Sequence, residues 1–211
     1  MSAARSLILN RIRRAHKTGR VPVVQRPTHE SLTTSHTNTT ASQIDRFVAE
    51  LSALSVTSHV VPTAGEVRAL VTKFVRDRTV FAWDPDHLPY EIGTTLGPEV
   101  VLANDSRDRQ VSADIGVTGC HAAIVETGSI AVLSGPGTPR AASLLPPTHL
   151  CLVKRADLYP SVAEFFRSRA EDIARAACCT FITGPSRTAD IELTLTVGVH
   201  GPGVVIVIVG P

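Results

Sequence analysis

Residues 178–209, CCTFITGPSRTADIELTLTVGVHGPGVVIVIV, decide how this chain folds. The runs Cys178–Ile182 and 204–209 are apolar almost without a break. A strand with one wet face alternates apolar and polar residues, so an unbroken run marks burial on both faces, as in a parallel sheet covered by helices. Gly184-Pro185 ends the first run. Ser186, Arg187, Thr188 and Asp190 then open a segment that reads as a helix over 188–195. His200-Gly201-Pro202-Gly203 is a second constrained turn, whose glycines permit backbone shapes closed to other residues.

Working outward, strands and helices alternate. A basic helix is expected over 3–16, docking on a neighbour or on the domain body, with a transit peptide as the alternative. Residues 20–40, rich in Pro, Thr, Ser and His, read as a loop. Ile44, Phe47, Val48, Leu51 and Leu54 recur at helical spacing over 41–54, with Ser42 as a cap. Thr63 and Glu66 form a capping box for the next helix. Strands are expected at 59–61, 79–83, 100–102, 122–125, 129–133, 148–153 and 178–183, and a long helix at 158–177 with Phe165 and Phe166 facing inward. The pattern predicts an α/β fold with a mainly parallel central sheet and flanking helices. Residues 1–27 read as a basic helical arm and linker, and 28–211 as one α/β domain.

Composition narrows the function. Apolar residues make up 43% of the 211, enough for a substantial core, but aromatics only 4%. Lys plus Arg number 21 against 19 Asp plus Glu, a balance that argues against a nucleic-acid binder. No apolar run approaches the ~20 residues that span a bilayer. The four cysteines, Cys120, Cys151, Cys178 and Cys179, match neither zinc nor iron–sulfur spacing, and no metal ligands are assigned. They read as small apolar residues of a cytoplasmic protein, with a redox role for Cys178-Cys179 as the alternative.

Four polar turns are candidates for chemistry. Gly184, Ser186, Arg187, Thr188 and Asp190 combine hydroxyls, a planar cation and the unpaired N–H groups of a helix start, which suit phosphate or carboxylate. The alternative is a plain helix cap. Glu126, with Thr127 and Gly128, interrupts two apolar runs; it reads as a nucleophile or base if half-buried, or as an exposed residue of a hairpin turn. Gly135, Gly137 and Arg140 belong to a Gly/Pro loop able to wrap an anion, although it fits neither a P-loop nor a dinucleotide fingerprint. His149 opens a strand, as a ligand contact or a structural histidine, and His200 is placed to reach the same mouth as Arg187. The expectation is that the sheet brings these turns to one site at its strand ends.

Two stretches carry a family resemblance: GVTGCHAAIVETGSIAVLSGPGTPRAASLLPPTHLCLV over 116–153 and FITGPSRTADIELTLTVGVHGPG over 181–203. They resemble the lactate utilization protein C family, with its LUD-type domain, and the related N-terminal region of lactate utilization protein B. The first half of the chain shares only the basic helical start and a variable early region. The resemblance implies a fold like that of glucosamine-6-phosphate deaminase, ribose-5-phosphate isomerase and the coenzyme A transferases. It also implies a part in bacterial conversion of L-lactate to pyruvate beside two iron–sulfur subunits, with no cofactor in this chain. The alternative is an enzyme or sensor domain for a carboxylate, phosphorylated or coenzyme A-type ligand.

Overall fold

A computed structural model describes residues 3–19, 39–188 and 196–211. The chain divides into two compact units, Met1–Ser35 and His36–Pro211. In the first, helix α1 spans Ala3–Thr18. In the second, the elements are α2 Thr40–Ala53, β1 Thr57–Val60, α3 Ala64–Val75, β2 Val80–Ala82, α4 Gly93–Leu96, α5 Arg107–Val111, β3 Ile115–Thr118, β4 Ala122–Ile124, β5 Ser129–Ser134, β6 Thr148–Lys154, β7 Leu158–Tyr159, α6 Val162–Ser168, α7 Ala170–Arg175, β8 Cys178–Ile182, β9 Arg187–Thr188, β10 Thr196–Val197 and β11 Val204–Gly210. Among the described residues no helix is long and apolar enough to cross a membrane.

The centre is a five-stranded sheet in the order β1-β11-β6-β3-β2, parallel throughout. β11 and β6 pair over their full lengths, from Val204 opposite Thr148 to Gly210 opposite Lys154. Val205–Val209 and Leu150–Val153 are buried, as the unbroken apolar run predicts. A second sheet, β7-β4-β5-β8, holds the expected hairpin: β4 and β5 pair antiparallel across Glu126–Gly128. Its alternate residues enter two cores. Ala123, Ile130 and Val132 pack with the parallel sheet, whereas Ala122, Ile124, Ala131 and Leu133 pack around Phe165. Phe165 meets Tyr159 and Phe181 edge-on at 5.7 and 5.9 Å.

Several expectations need correcting. Cys178–Ile182 is not a doubly buried parallel strand: β8 is the edge of the second sheet, antiparallel to β5 and half-buried along its length. An apolar run alone does not distinguish these cases. The long helix over 158–177 is broken twice. Leu158–Tyr159 pairs with β4, and Arg169 leaves helical geometry (φ −119°, ψ 22°) between α6 and α7. Phe166, one residue round α6 from the buried Phe165, is 44% exposed rather than inward. Finally, Arg187–Thr188 is a strand, paired antiparallel with Thr196–Val197, so Thr188 is not helical; the rest of the helix expected over 188–195 lies outside the described residues.

The caps follow local chemistry. Thr63 Oγ1 accepts the Glu66 N–H at 3.2 Å and donates to Glu66 Oε1 at 3.0 Å. Thr39, not Ser42, caps α2: Thr39 Oγ1 accepts the Ser42 N–H at 3.4 Å.

The far end of α2 is held by the two glycine turns. Gly128 (φ 63°) approaches so closely that a Cβ would lie 3.0 Å from the Glu50 carbonyl carbon, and at Gly184 (φ 83°) one would lie 3.1 Å from Leu54 O. Arg187 Nη2 donates to Leu54 O at 2.8 Å and to Ser55 Oγ at 3.0 Å. A cation on the last carbonyls complements the helix dipole. Thr127 Oγ1 donates to Ser129 Oγ at 2.8 Å, and Ser129 Oγ lies 2.8 Å from Thr183 Oγ1, linking the two turns.

His149 is fully buried, with Nε2 2.8 Å from Thr118 Oγ1. Burial lowers its pKa from 6.5 to about 4. The fold holds the neutral ring, so the unfolded chain takes up protons first and stability falls as pH drops from 6.5 towards 4. Two expected outcomes follow. Urea unfolding at pH 7.5 and pH 5 should show a loss of roughly 2 kcal/mol from this group. Replacing both partners, Thr118→Val with His149→Leu, should flatten that slope; an unchanged slope would assign the pH dependence elsewhere. Separately, Gly128→Ala should cost about 1–2 kcal/mol for the left-handed backbone alone. Gly135→Ala, whose Cβ would meet only Thr138 Oγ1 at 3.7 Å, should be near neutral in the same assay.

Candidate functional site

In open α/β sheets ligands gather beyond the carboxyl ends of parallel strands. Here those ends carry the loop after β2 (Trp83 to His87), the Gly119-Cys120-His121 turn after β3, and Lys154 at the end of β6. The Asp84 N–H donates to Gly137 O at 2.9 Å, tying the β2 loop to the Gly/Pro loop after β5. Gly137 (φ 76°) leaves no room for a Cβ, because the His87 imidazole occupies that position.

A cleft of about 370 Å³ lies here, walled by His87, His121, Ser134, Gly135, Arg169 and Asp172 among others. His121 stands beside Trp83 at 5.4 Å, and its Nδ1 accepts the Leu133 N–H at 3.1 Å. The neutral ring therefore carries its proton on Nε2. Burial, then the Arg169 charge, lowers the His121 pKa and favours this neutral form. Ser134 is 8% exposed, and its hydroxyl oxygen is buried with no hydrogen-bond partner. Arg169 Nε lies 2.9 Å from Asp172 Oδ2 as an ion pair but makes no hydrogen bond.

Beyond His87 lies a smaller hollow of about 180 Å³, bounded by Asp86, Cys120, Lys154 and Asp157. Burial raises the Asp157 pKa, against the pull of Lys154. A hydrogen bond with Cys151 and burial push the Cys120 thiol well up. Tyr90 O–H donates to Val153 O at 2.8 Å, covering the ends of β6 and β11, and burial raises its pKa. Among the described residues no group of three or more His, Cys, Asp or Glu side chains could hold a metal ion.

The sequence-predicted residues divide. Gly135 lines the cleft and Gly137 supports His87. Arg140 is exposed, opening a turn of 3-10 helix; with the Thr180 hydroxyl it lowers the Cys178 pKa, the Thr180 hydrogen bond acting more strongly. Glu126 is exposed, and its Oε1 accepts the Val162 N–H at 2.8 Å at the start of α6. Thr127, Gly128, Gly184 and Arg187 gather at the end of α2. The Ser186 N–H donates to Pro202 O at 2.9 Å, and Ser186 Oγ accepts the His200 N–H at 3.3 Å, joining the two signature turns. Thr188 sits opposite Thr196 in the β9–β10 ladder, His149 lies in the core, and Asp190 falls outside the described residues.

The turns do not meet at one mouth. The Glu126–Gly128 and Gly135–Arg140 loops lie at opposite ends of the six-residue β5, roughly 20 Å apart. His200–Gly203 precedes β11, at the amino end of the parallel sheet. The carboxyl-end argument attached to Gly184 does not apply, because β8 belongs to the second sheet. His87, His121, Arg169 and Asp172 were missed. The available signal was Gly119-Cys120-His121, polar residues directly after the buried run Ile115–Thr118.

The profile of the LUD domain family matches residues 44–209. A lactate utilization protein C from Halalkalibacterium halodurans is 30% identical over 184 residues, covering 82% of this chain and 73% of that one. One from an Exiguobacterium species is 38% identical over 131 residues, covering 60% of this chain and 55% of that one. The crystal structure of a DUF162 family protein from Deinococcus radiodurans superposes with a TM-score of 0.67 at 26% identity, over 82% of this chain and 99% of that one. With the profile spanning both turns and all five strands of the parallel sheet but for Gly210, the chain belongs to the LUD domain family.

Proposed function

We propose that this chain acts in L-lactate utilization, as the cluster-free subunit of a system converting lactate to pyruvate. Its own part is to bind a small anion in the cleft between α7 and the Gly135 loop. The observation that carries the role is the 30% identity over 82% of the chain to a protein named lactate utilization protein C. The cleft supports the binding step, since Arg169, Ser134 and His121 supply donors suited to a carboxylate. Electron transfer would fall to iron–sulfur partner subunits. Cys178 and Cys179 are neighbours in a strand, so their side chains leave opposite faces, a poor arrangement for shared ligation.

A stand-alone carboxylate-binding enzyme or sensor is the second reading, favoured by the same cleft. Reconstitution separates the two. L-Lactate oxidation by the purified iron–sulfur subunits should fall to background without this chain, and the chain should co-elute with them. Full-rate oxidation by the partners alone, with no association, would sink the subunit role. In that case a thermal shift still tests the second reading: a carboxylate at 100 times its dissociation constant stabilises the fold by about 2.7 kcal/mol.

A further inference from the structure

Charge is divided unevenly between the two compact units of the chain. Residues 1–35 hold seven of the 21 Lys and Arg and a single acid, Glu30. The other 14 Lys and Arg meet 18 Asp and Glu in residues 36–211. The α/β unit is therefore acidic and the arm strongly basic.

Helix α1 sorts the arm's side chains by face. Its 16 residues contain no acid. Successive residues turn by about 100°, so Ile8 and Ile12 stack one turn apart, with Ala4 and Ala15 on the same face and Leu9 beside them. Arg11, Arg14 and Lys17 recur at every third residue along the other side, joined by Arg13 and with Leu7 among them. Ile8, Leu9 and Ile12 are 57%, 37% and 54% exposed. Among the described residues, Arg11, Arg13, Arg14 and Lys17 form no ion pair. Arg5 falls on the apolar side, where a long stem lets the charged head reach a polar boundary.

These features select among occupants for the apolar face. A protein groove that takes a helix grips bulky side chains at i, i+4 and i+7. Counted from Ile8, the i+7 residue is Ala15, and the residue one turn before Ile8 is Ala4, both too small to anchor. A bilayer surface asks for no such shape. It needs apolar area to sink to the acyl boundary and cations to meet the headgroups, which is what a basic amphipathic helix supplies. We propose that α1 lies in the surface of an anionic lipid bilayer, with Ile8, Leu9 and Ile12 inserted and Arg11, Arg13, Arg14 and Lys17 at the lipid phosphates. An anionic surface repels the acidic α/β unit, so the arm alone makes this contact. The inference is independent of the cleft and of the reaction assigned to it.

Sedimentation of the full chain with vesicles tests it. Phosphatidylcholine vesicles containing phosphatidylglycerol should bind the chain on the order of tenfold or more above pure phosphatidylcholine, and high salt should reverse the gain. Arg11→Gln with Arg14→Gln should weaken binding to the anionic vesicles about thirtyfold, at about fivefold per cation. Ile8→Ser with Ile12→Ser should weaken it on the order of tenfold or more, through lost insertion. Both double variants should keep the melting temperature of the α/β unit. No binding to anionic vesicles, or equal binding to the two kinds, would overturn the proposal. Binding that survives Ile8→Ser with Ile12→Ser would also overturn it, as a bare polyanion contact. A concentration-dependent dimer abolished by those same substitutions would give the face to a second copy of the chain, and a lowered melting temperature would give it to the chain's own domain; either result overturns the lipid assignment.

Discussion

The structure depends on a strand that must satisfy two cores. β5 sends Ile130 and Val132 into the core of the parallel sheet and Ala131 and Leu133 into the cluster around Phe165. A one-residue slip would exchange these sets, so the register is fixed by shape on both sides. Fixing β5 fixes both of its ends. At one end Gly128 seats the last turn of α2; at the other, Ser134 enters the cleft with its hydroxyl buried. The same hairpin therefore closes the domain and supplies part of the candidate site.

Parallel pairing of β11, β6, β3 and β2 supplies the rest. It aligns the ends of β2 and β3 so that His87 and His121 arrive on one side, while the amino ends carry Pro147, His200 and Gly203 on the other. The Gly203 N–H donates to Pro147 O at 3.0 Å, so the His200–Gly203 turn is bound into the sheet's amino edge. The glycines and prolines that make these turns conspicuous in the sequence serve close packing there, and they mark the family through the fold rather than through chemistry alone.

This explains what was legible in the sequence and what was not. The run at 204–209 declared its burial directly, and Val205–Val209 are buried, because an unbroken apolar run has no other stable place. The Thr63–Glu66 cap and the β4–β5 hairpin were equally local signals. β8 was misread because Phe181 and Ile182 face a small aromatic cluster and the main core from an edge strand, and one-dimensional hydropathy does not record sheet order. The cleft was misplaced for a related reason. Its walls come from four separate segments, at His87, His121, Ser134 and Arg169, and only pairing of strands distant in sequence brings them together.

Tyr90 and Glu91 both take left-handed backbone geometry (φ 62° and 57°), a conformation that costs non-glycine residues on the order of 1–3 kcal/mol each. Tyr90 is held there by its hydrogen bonds to Val153 O and Pro211 O, and Gly210 leaves the space its ring fills. Trp83 Nε1 and Ser134 Oγ are buried without a hydrogen-bond partner, whereas Arg169 Nε is ion-paired with Asp172. Ser55 and Asp77 take the same geometry (φ 64° and 58°) before β1 and β2, and His149 Nδ1 is unpaired in β6, so strain and unpaired atoms fall on both edges of the sheet. What distinguishes the carboxyl side is the cleft itself: four segments distant in sequence bring His87, His121, Ser134 and Arg169 to one hollow, on the side where parallel sheets hold ligands, which is the physical reason to place the chain's binding function there rather than at its most recognisable motif.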